Sequence, residues 1–222
     1  MNSAISLLRR NRFIWLLATL LLLLVVSPLA AHFGVGDILF QLMLSLVLLA
    51  SIFSITDHSA LQLAGTLMAA AAFIASVIFA YQATPGIGAV SAVLGFAWFG
   101  YTAGIILVHV MSTGRVTLNE LAAATCTYLM LGLAGAYIFQ LLVLLIPGAL
   151  APVADGVAAF DGTDLATFIY FSFTTLTTVG FGDIIPVAPI ARAFANLEAV
   201  AGQIFLTVLI ARLVGMHISQ HR

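Results

Sequence analysis

Lysine is absent from this chain, cysteine occurs once, and charged residues make up 7% of its 222 positions. So little charge excludes an ordinary soluble domain, in which about 25% of residues are charged. With a formal net charge of −1, nothing marks a surface for nucleic acid. The single cysteine, Cys126, excludes an internal disulfide and a cysteine metal site within one chain. It lies in an apolar run and reads as a small membrane-facing residue. No nucleophile–base pair and no metal-ligating cluster is visible, so neither an enzyme nor a bound cofactor is expected. What is abundant is apolar: 63% of residues are hydrophobic. That is the composition of an integral membrane protein.

A membrane-spanning helix needs about 20 mostly apolar residues. Six segments meet this: Phe13–Ala31, Ile38–Ile55, Leu61–Tyr81, Ile87–Met111, Leu118–Ile146 and Pro189–Met216. The block Asp164–Thr177 is too short to cross and reads as a re-entrant half-helix, with Asp164 or Gly162-Thr163 at its start. The expected fold is therefore all-α, six transmembrane helices with a re-entrant helix between the fifth and sixth. Residues 1–12 form a cytoplasmic N-terminus, 13–111 a four-helix domain, 118–216 a second domain, and 217–222 a short cytoplasmic tail. Arg9, Arg10 and Arg12 before the first span, with Pro28-Leu29-Ala30-Ala31 after it, also fit a signal peptide; the reading taken is a retained span. Six spans starting inside put Arg9, Arg10, Arg12, Arg115, Arg212 and Arg222 on the cytoplasmic side, with Asp37, Asp155, Asp161, Asp164 and Asp183 outside. Both termini are thus expected in the cytoplasm, and Arg192 alone breaks the pattern.

Between the half-helix and the last span runs Thr174-Thr175-Leu176-Thr177-Thr178-Val179-Gly180-Phe181-Gly182-Asp183. It is polar and glycine-rich at membrane depth. Unpaired backbone is tolerated there only when packed in protein or lining a water-filled path. Thr178 to Asp183 resembles the selectivity filter of the tetrameric potassium channels of the pore-loop superfamily, with Phe181 where tyrosine is usual. The resemblance covers about Leu118 to Met216. It implies a homotetramer in a bacterial plasma (inner) membrane, among membrane lipids, with potassium as the permeant ligand. Ion sites would be the carbonyls of Thr178, Val179, Gly180 and Phe181 with the Thr178 hydroxyl. Gly180 and Gly182 would supply left-handed backbone without a Cβ penalty.

The same alignment implies the supports. Tyr170, thirteen residues before Asp183, takes the place of a family tryptophan that holds the filter aspartate. Thr174 stands where some members have a carboxyl group, so a second clamp is weaker or absent. Gly202 falls at the family's hinge glycine, where bending or close helix packing would each account for it. Gln203, Leu206, Ile210 and Val214 share one helical face and would line the cavity and gate with Thr177. Glu198, a carboxyl within an apolar helix, marks a functional site by default; hydrogen bonds to Thr174, Thr175 or Thr177 are expected, with a gating or proton-sensing role as the alternative. Asp155, Asp161 and Asp164 would concentrate cations at the mouth, or simply solvate a loop.

The fourth span has no arginine or lysine. Voltage sensing moves fixed charge through the field, at about 2.3 kcal/mol per charge per 100 mV. The pore is therefore expected to be voltage-insensitive. His32, His58 and His109 read as interfacial residues. Ala69 and Ala72, with Gly95, Gly100 and Gly104, suggest close helix packing. No ligand-binding or soluble regulatory domain is recognisable. Three other readings stand beside a potassium channel: a weakly selective cation channel, a potassium-transporter subunit, and a regulatory subunit with a vestigial pore.

Overall fold

The computed structural model describes residues 11–32, 43–44, 46–47, 50–51, 59–113, 117–154 and 159–220. In chain order the elements are α1 (Arg12–His32), α2 (Ser59–Gln82), α3 (Pro85–Ser112), α4 (Leu118–Leu145), β1 (Leu150–Pro152), α5 (Leu165–Leu176), β2 (Ile184–Pro186) and α6 (Pro189–Gln220). Among the described residues, segments 60–82, 85–112, 118–145 and 189–212 are long and apolar enough to cross a membrane, while 165–176 is a shorter apolar helix. The expected second span, Ile38–Ile55, lies largely outside the described residues, as do Asp37, Asp57, His58, Arg115 and Asp155. α6 continues to Gln220, into the tail expected after Met216.

Helix limits follow from local chemistry. Pro85 and Pro189 occupy first-turn positions, where a missing N–H costs nothing. Ala83, with φ of 46°, makes the tight α2–α3 joint. Thr117 Oγ1 accepts the Glu120 amide at 3.2 Å, the threonine half of a capping box at the start of α4. Gly148, with φ of 79°, lets the chain leave α4.

The chain forms two compact units: Met1–Ala69 with Gly100–Met130 and Ala211–Arg222, and Ala70–Phe99 with Leu131–Ile210. In the first, Phe13, Leu16, Leu20, Ala103, Ile106, Ala123 and Cys126 are buried. The Phe13 ring lies 5.3 Å from that of His109. His109 is not an isolated interfacial histidine, because its Nε2 sits 3.5 Å from Glu120 Oε2. Arg212 reaches the end of α3, donating to the Thr113 carbonyl at 2.8 Å and to Met111 Sδ at 2.9 Å.

In the second unit, the Tyr137 ring lies against Gly95, and Phe79 with Leu144 against Gly88. A methyl at either glycine would meet these side chains at 2.5–3.0 Å. Gly100 and Gly104, in contrast, face open space. Of the three glycines expected to pack helices, only Gly95 does so among the described residues.

Two elements depart from an all-helical reading. β1 and β2 pair antiparallel, Leu150 with Pro186 and Pro152 with Ile184. The Val153 amide extends the ladder to the Asp183 carbonyl at 2.9 Å. Strands of three residues are too short to show a period of two in sequence. Their role is to give the irregular backbone after Asp183 its hydrogen-bond partners.

Candidate functional site

The site is built around α5. Asp164 caps it, accepting the Ala166 amide at 3.1 Å and the Thr167 hydroxyl at 2.6 Å. Asp164→Ala is expected to cost about 1 kcal/mol, read as a lower melting temperature in detergent. Asp161 accepts both the amide and the hydroxyl of Thr163, at 2.9 and 2.6 Å. Those bonds hold its carboxyl below the usual range. Both acids are thus engaged by their own loop before they act on anything beyond it. Gln140 Nε2 ties α4 to the Gly162 carbonyl at 2.9 Å.

α5 has twelve residues, about 18 Å at 1.5 Å each, well short of a 30 Å hydrocarbon core. At its end the chain turns back on the helix. The Thr174 carbonyl accepts the amides of Val179 and Gly180, at 2.9 and 3.1 Å. The Thr175 carbonyl accepts the Thr178 amide at 2.9 Å. From Thr178 onward φ is positive at every second residue: 59° at Thr178, 53° at Gly180, 79° at Gly182. Backbone of alternating hand turns successive carbonyls to one side and amides to the other, the geometry of a nest. Threonine is not a natural occupant of the left-handed region, which costs an L-residue about 1–2 kcal/mol. Sequence reasoning assigned the left-handed positions to the glycines and missed Thr178.

Residues 177–183 are all exposed in the single chain. Val179 is 54% exposed and Phe181 70% exposed in the single chain. The Phe181 ring lies parallel to Tyr170, centroids 6.3 Å apart. Tyr170 Oη donates to Asp183 Oδ2 at 2.7 Å. Tyr170→Phe is expected to speed hydrogen exchange at the 178–183 amides without changing the fold. Unchanged exchange would show that the β1–β2 ladder alone holds Asp183.

Thr174, Thr175 and Thr177 donate their hydroxyls to carbonyls of their own helix, Phe171 and Phe173. This corrects the expectation for Glu198. Its partner is Ser172, whose Oγ lies 2.6 Å from Glu198 Oε1 and 2.6 Å from the Gly132 carbonyl. The threonines are unavailable because a helix offers each hydroxyl a nearer acceptor one turn back. Ser172, Gly132 and Gly135 carried no signal in sequence, because their roles arise only where three helices meet.

Gly202 faces the end of α5: a methyl there would overlap the Leu176 carbonyl oxygen. Close packing against α5 thus gives a reason for glycine at this position. Gln203 Nε2 donates to Thr178 Oγ1 at 3.1 Å, occupying one lone pair of that hydroxyl. Leu206 is half-buried, and Ile210 and Val214 are exposed. Arg192, which breaks the charge asymmetry, donates to the Pro186 carbonyl at 3.0 Å and fastens α6 to β2.

Several apolar helices of spanning length, joined by this short-helix turn, define a multi-pass membrane protein. Residues 116–218 match the family model described as "Ion channel". The chain is also 30% identical over 129 residues to Protein LctB of Bacillus caldotenax, an alignment covering 54% of this chain and 96% of that protein. No solved structure matches it. The chain belongs to the ion channel family.

Proposed function

We propose that the chain is one quarter of a potassium-selective channel with a central fourfold pore. One observation carries the reading: seven consecutive exposed residues, 177–183, with left-handed backbone at alternate positions 178, 180 and 182. Such a segment cannot face lipid, where each unsatisfied backbone group costs several kcal/mol. Copies of the chain around an axis would cover it and turn its carbonyls onto a shared path. Rings of oxygens from Thr178, Val179, Gly180 and Phe181 would then replace the hydration shell of a potassium ion. The C-terminal end of α5 adds a partial negative charge toward the cavity.

α6 supports the same assembly, with 6% of its spanning window buried in the single chain against 67% for α4. Gln203, Leu206, Ile210 and Val214 would line the cavity. The complete channel would have six spans per chain with α5 re-entrant, lie in the plasma (inner) membrane, and keep both termini in the cytoplasm. α3 carries no arginine or lysine, so conduction would not rise steeply with voltage.

Purified protein in planar bilayers, with potassium on one side and sodium on the other, tests the reading. A reversal potential displaced strongly toward potassium is expected. One near zero would establish the weakly selective alternative, and no current from intact protein would favour a vestigial pore.

A further inference from the structure

Glu198, Ser172, Gly132 and Gly135 meet where α6, α5 and α4 converge. Gly132 and Gly135 are three residues apart and share one face of α4. A methyl at Gly135 would overlap Glu198 Oε1 and lie 2.7 Å from Ser172 Oγ; one at Gly132 would strike the Phe173 ring at 2.8 Å. The two glycines thus form a notch that receives the carboxyl of α6 and two consecutive side chains of α5. Ser172 is fully buried.

The hydrogens can be counted. Ser172 has one hydroxyl hydrogen and lies within 2.6 Å of two acceptors, the Gly132 carbonyl and Glu198 Oε1. Both contacts are hydrogen bonds at once only if Glu198 supplies the second hydrogen. Glu198 Oε2 is buried and has no partner among the described residues. On a carboxylate that oxygen would hold uncompensated charge in the apolar interior, while on a neutral acid it is one unpaired carbonyl oxygen. Among the described residues, no charged side chain on the packed elements is bonded to it. Tyr170 is bonded to Asp183, Arg192 to Pro186 and Arg212 to Thr113. Tyr137 is turned toward Gly95 and Phe99, and Tyr128 lies one turn before Gly132 on α4.

We infer that Glu198 acts as a neutral acid that positions the filter: it donates to Ser172, which donates to the Gly132 carbonyl, so one proton ties α6 to α5 and α4. The link to the filter is short. Ser172 lies two residues before Thr174, whose carbonyl accepts the Val179 and Gly180 amides. Glu198 acts by fixing the turn of α5 whose Thr174 carbonyl holds those two amides. This assignment rests on the channel reading for its effect on permeation but not for the proton itself.

Two measurements on one preparation of full-length protein test it. Infrared difference spectra should show the C=O stretch of a protonated carboxyl, absent in Glu198→Gln. Its absence from the wild type overturns the assignment, whether or not the protein conducts. In bilayers, Glu198→Gln, whose amide also donates to Ser172, should keep the potassium-to-sodium permeability ratio within about twofold of wild type. It should also remove any decline of that ratio at alkaline pH. Ser172→Ala should lower the ratio at least tenfold. A Glu198→Gln channel as impaired as Ser172→Ala would mean that Glu198 works as a carboxylate. Wild-type ratios in both variants would mean that the cluster does not position the filter. A wild type that shows the infrared band but passes no ions refutes the channel reading and leaves the proton assignment standing.

Discussion

Gly202→Ala is expected to abolish potassium flux from reconstituted protein while leaving membrane insertion intact. The added methyl has nowhere to go. It meets the carbonyl oxygen of Leu176, a backbone atom at the end of α5 that no rotamer change can move. Overpacking of this kind costs about 1–3 kcal/mol, and relief requires α6 and the end of α5 to part. Leu176 stands two residues before Thr178, so the displacement passes directly into the alternating segment. Gly104→Ala provides the contrast, because its Cβ would face open space. It should conduct normally and gain up to about 1 kcal/mol from helix propensity. Flux from liposomes carrying equal amounts of each variant decides. If Gly202→Ala conducts like wild type, the close approach to Leu176 is not required for function. If it conducts but opens abnormally, the glycine serves as a hinge rather than a contact.

The second large effect concerns the backbone alone. Gly180→Ala should lower the potassium-to-sodium permeability ratio at least tenfold, with little change in the stability of the individual chain. No atom lies within 4 Å of a Cβ built at Gly180, so the substitution creates no clash within the chain. Its penalty is conformational. At φ of 53°, an L-residue costs about 1–2 kcal/mol. In a proposed ring of four chains that becomes roughly 4–8 kcal/mol at one level of the filter. The segment can escape by reversing the hand at position 180, which turns a carbonyl away from the shared path. Reversal potentials under opposing potassium and sodium measure the result. An unchanged ratio would mean that the left-handed residue at 180 is not needed for selection.

How much of this was legible in the sequence depends on the range of each interaction. The ends of α2, α3, α4 and α6 fall within a few residues of the expected spans because hydrophobic length and proline or glycine punctuation are local signals. The Tyr170–Asp183 pair is readable only through the family resemblance, which places an aromatic donor thirteen residues before the filter aspartate. The partner of Glu198 is not. Ser172 is 26 residues away in sequence and Gly132 is 40 from Ser172. Which hydroxyl meets the carboxyl depends on helix rotation, and the competing threonines are withdrawn by their own helix. Gly95, Gly100 and Gly104 look equivalent in sequence, yet among the described residues only the first lies under an aromatic ring. Small residues report that close packing is possible, and the neighbouring side chain determines where it happens.

The Arg212 contacts with Met111 and the Thr113 carbonyl have a mechanical meaning. A long, rotatable side chain ending in two hydrogen bonds behaves as a tether and not as a strut: it transmits a pull and yields to a push. Motion of α3 away from the end of α6 would therefore draw that end along, whereas motion toward it would slacken the cord. A helix without gating charge can still act on its neighbour, in one direction only.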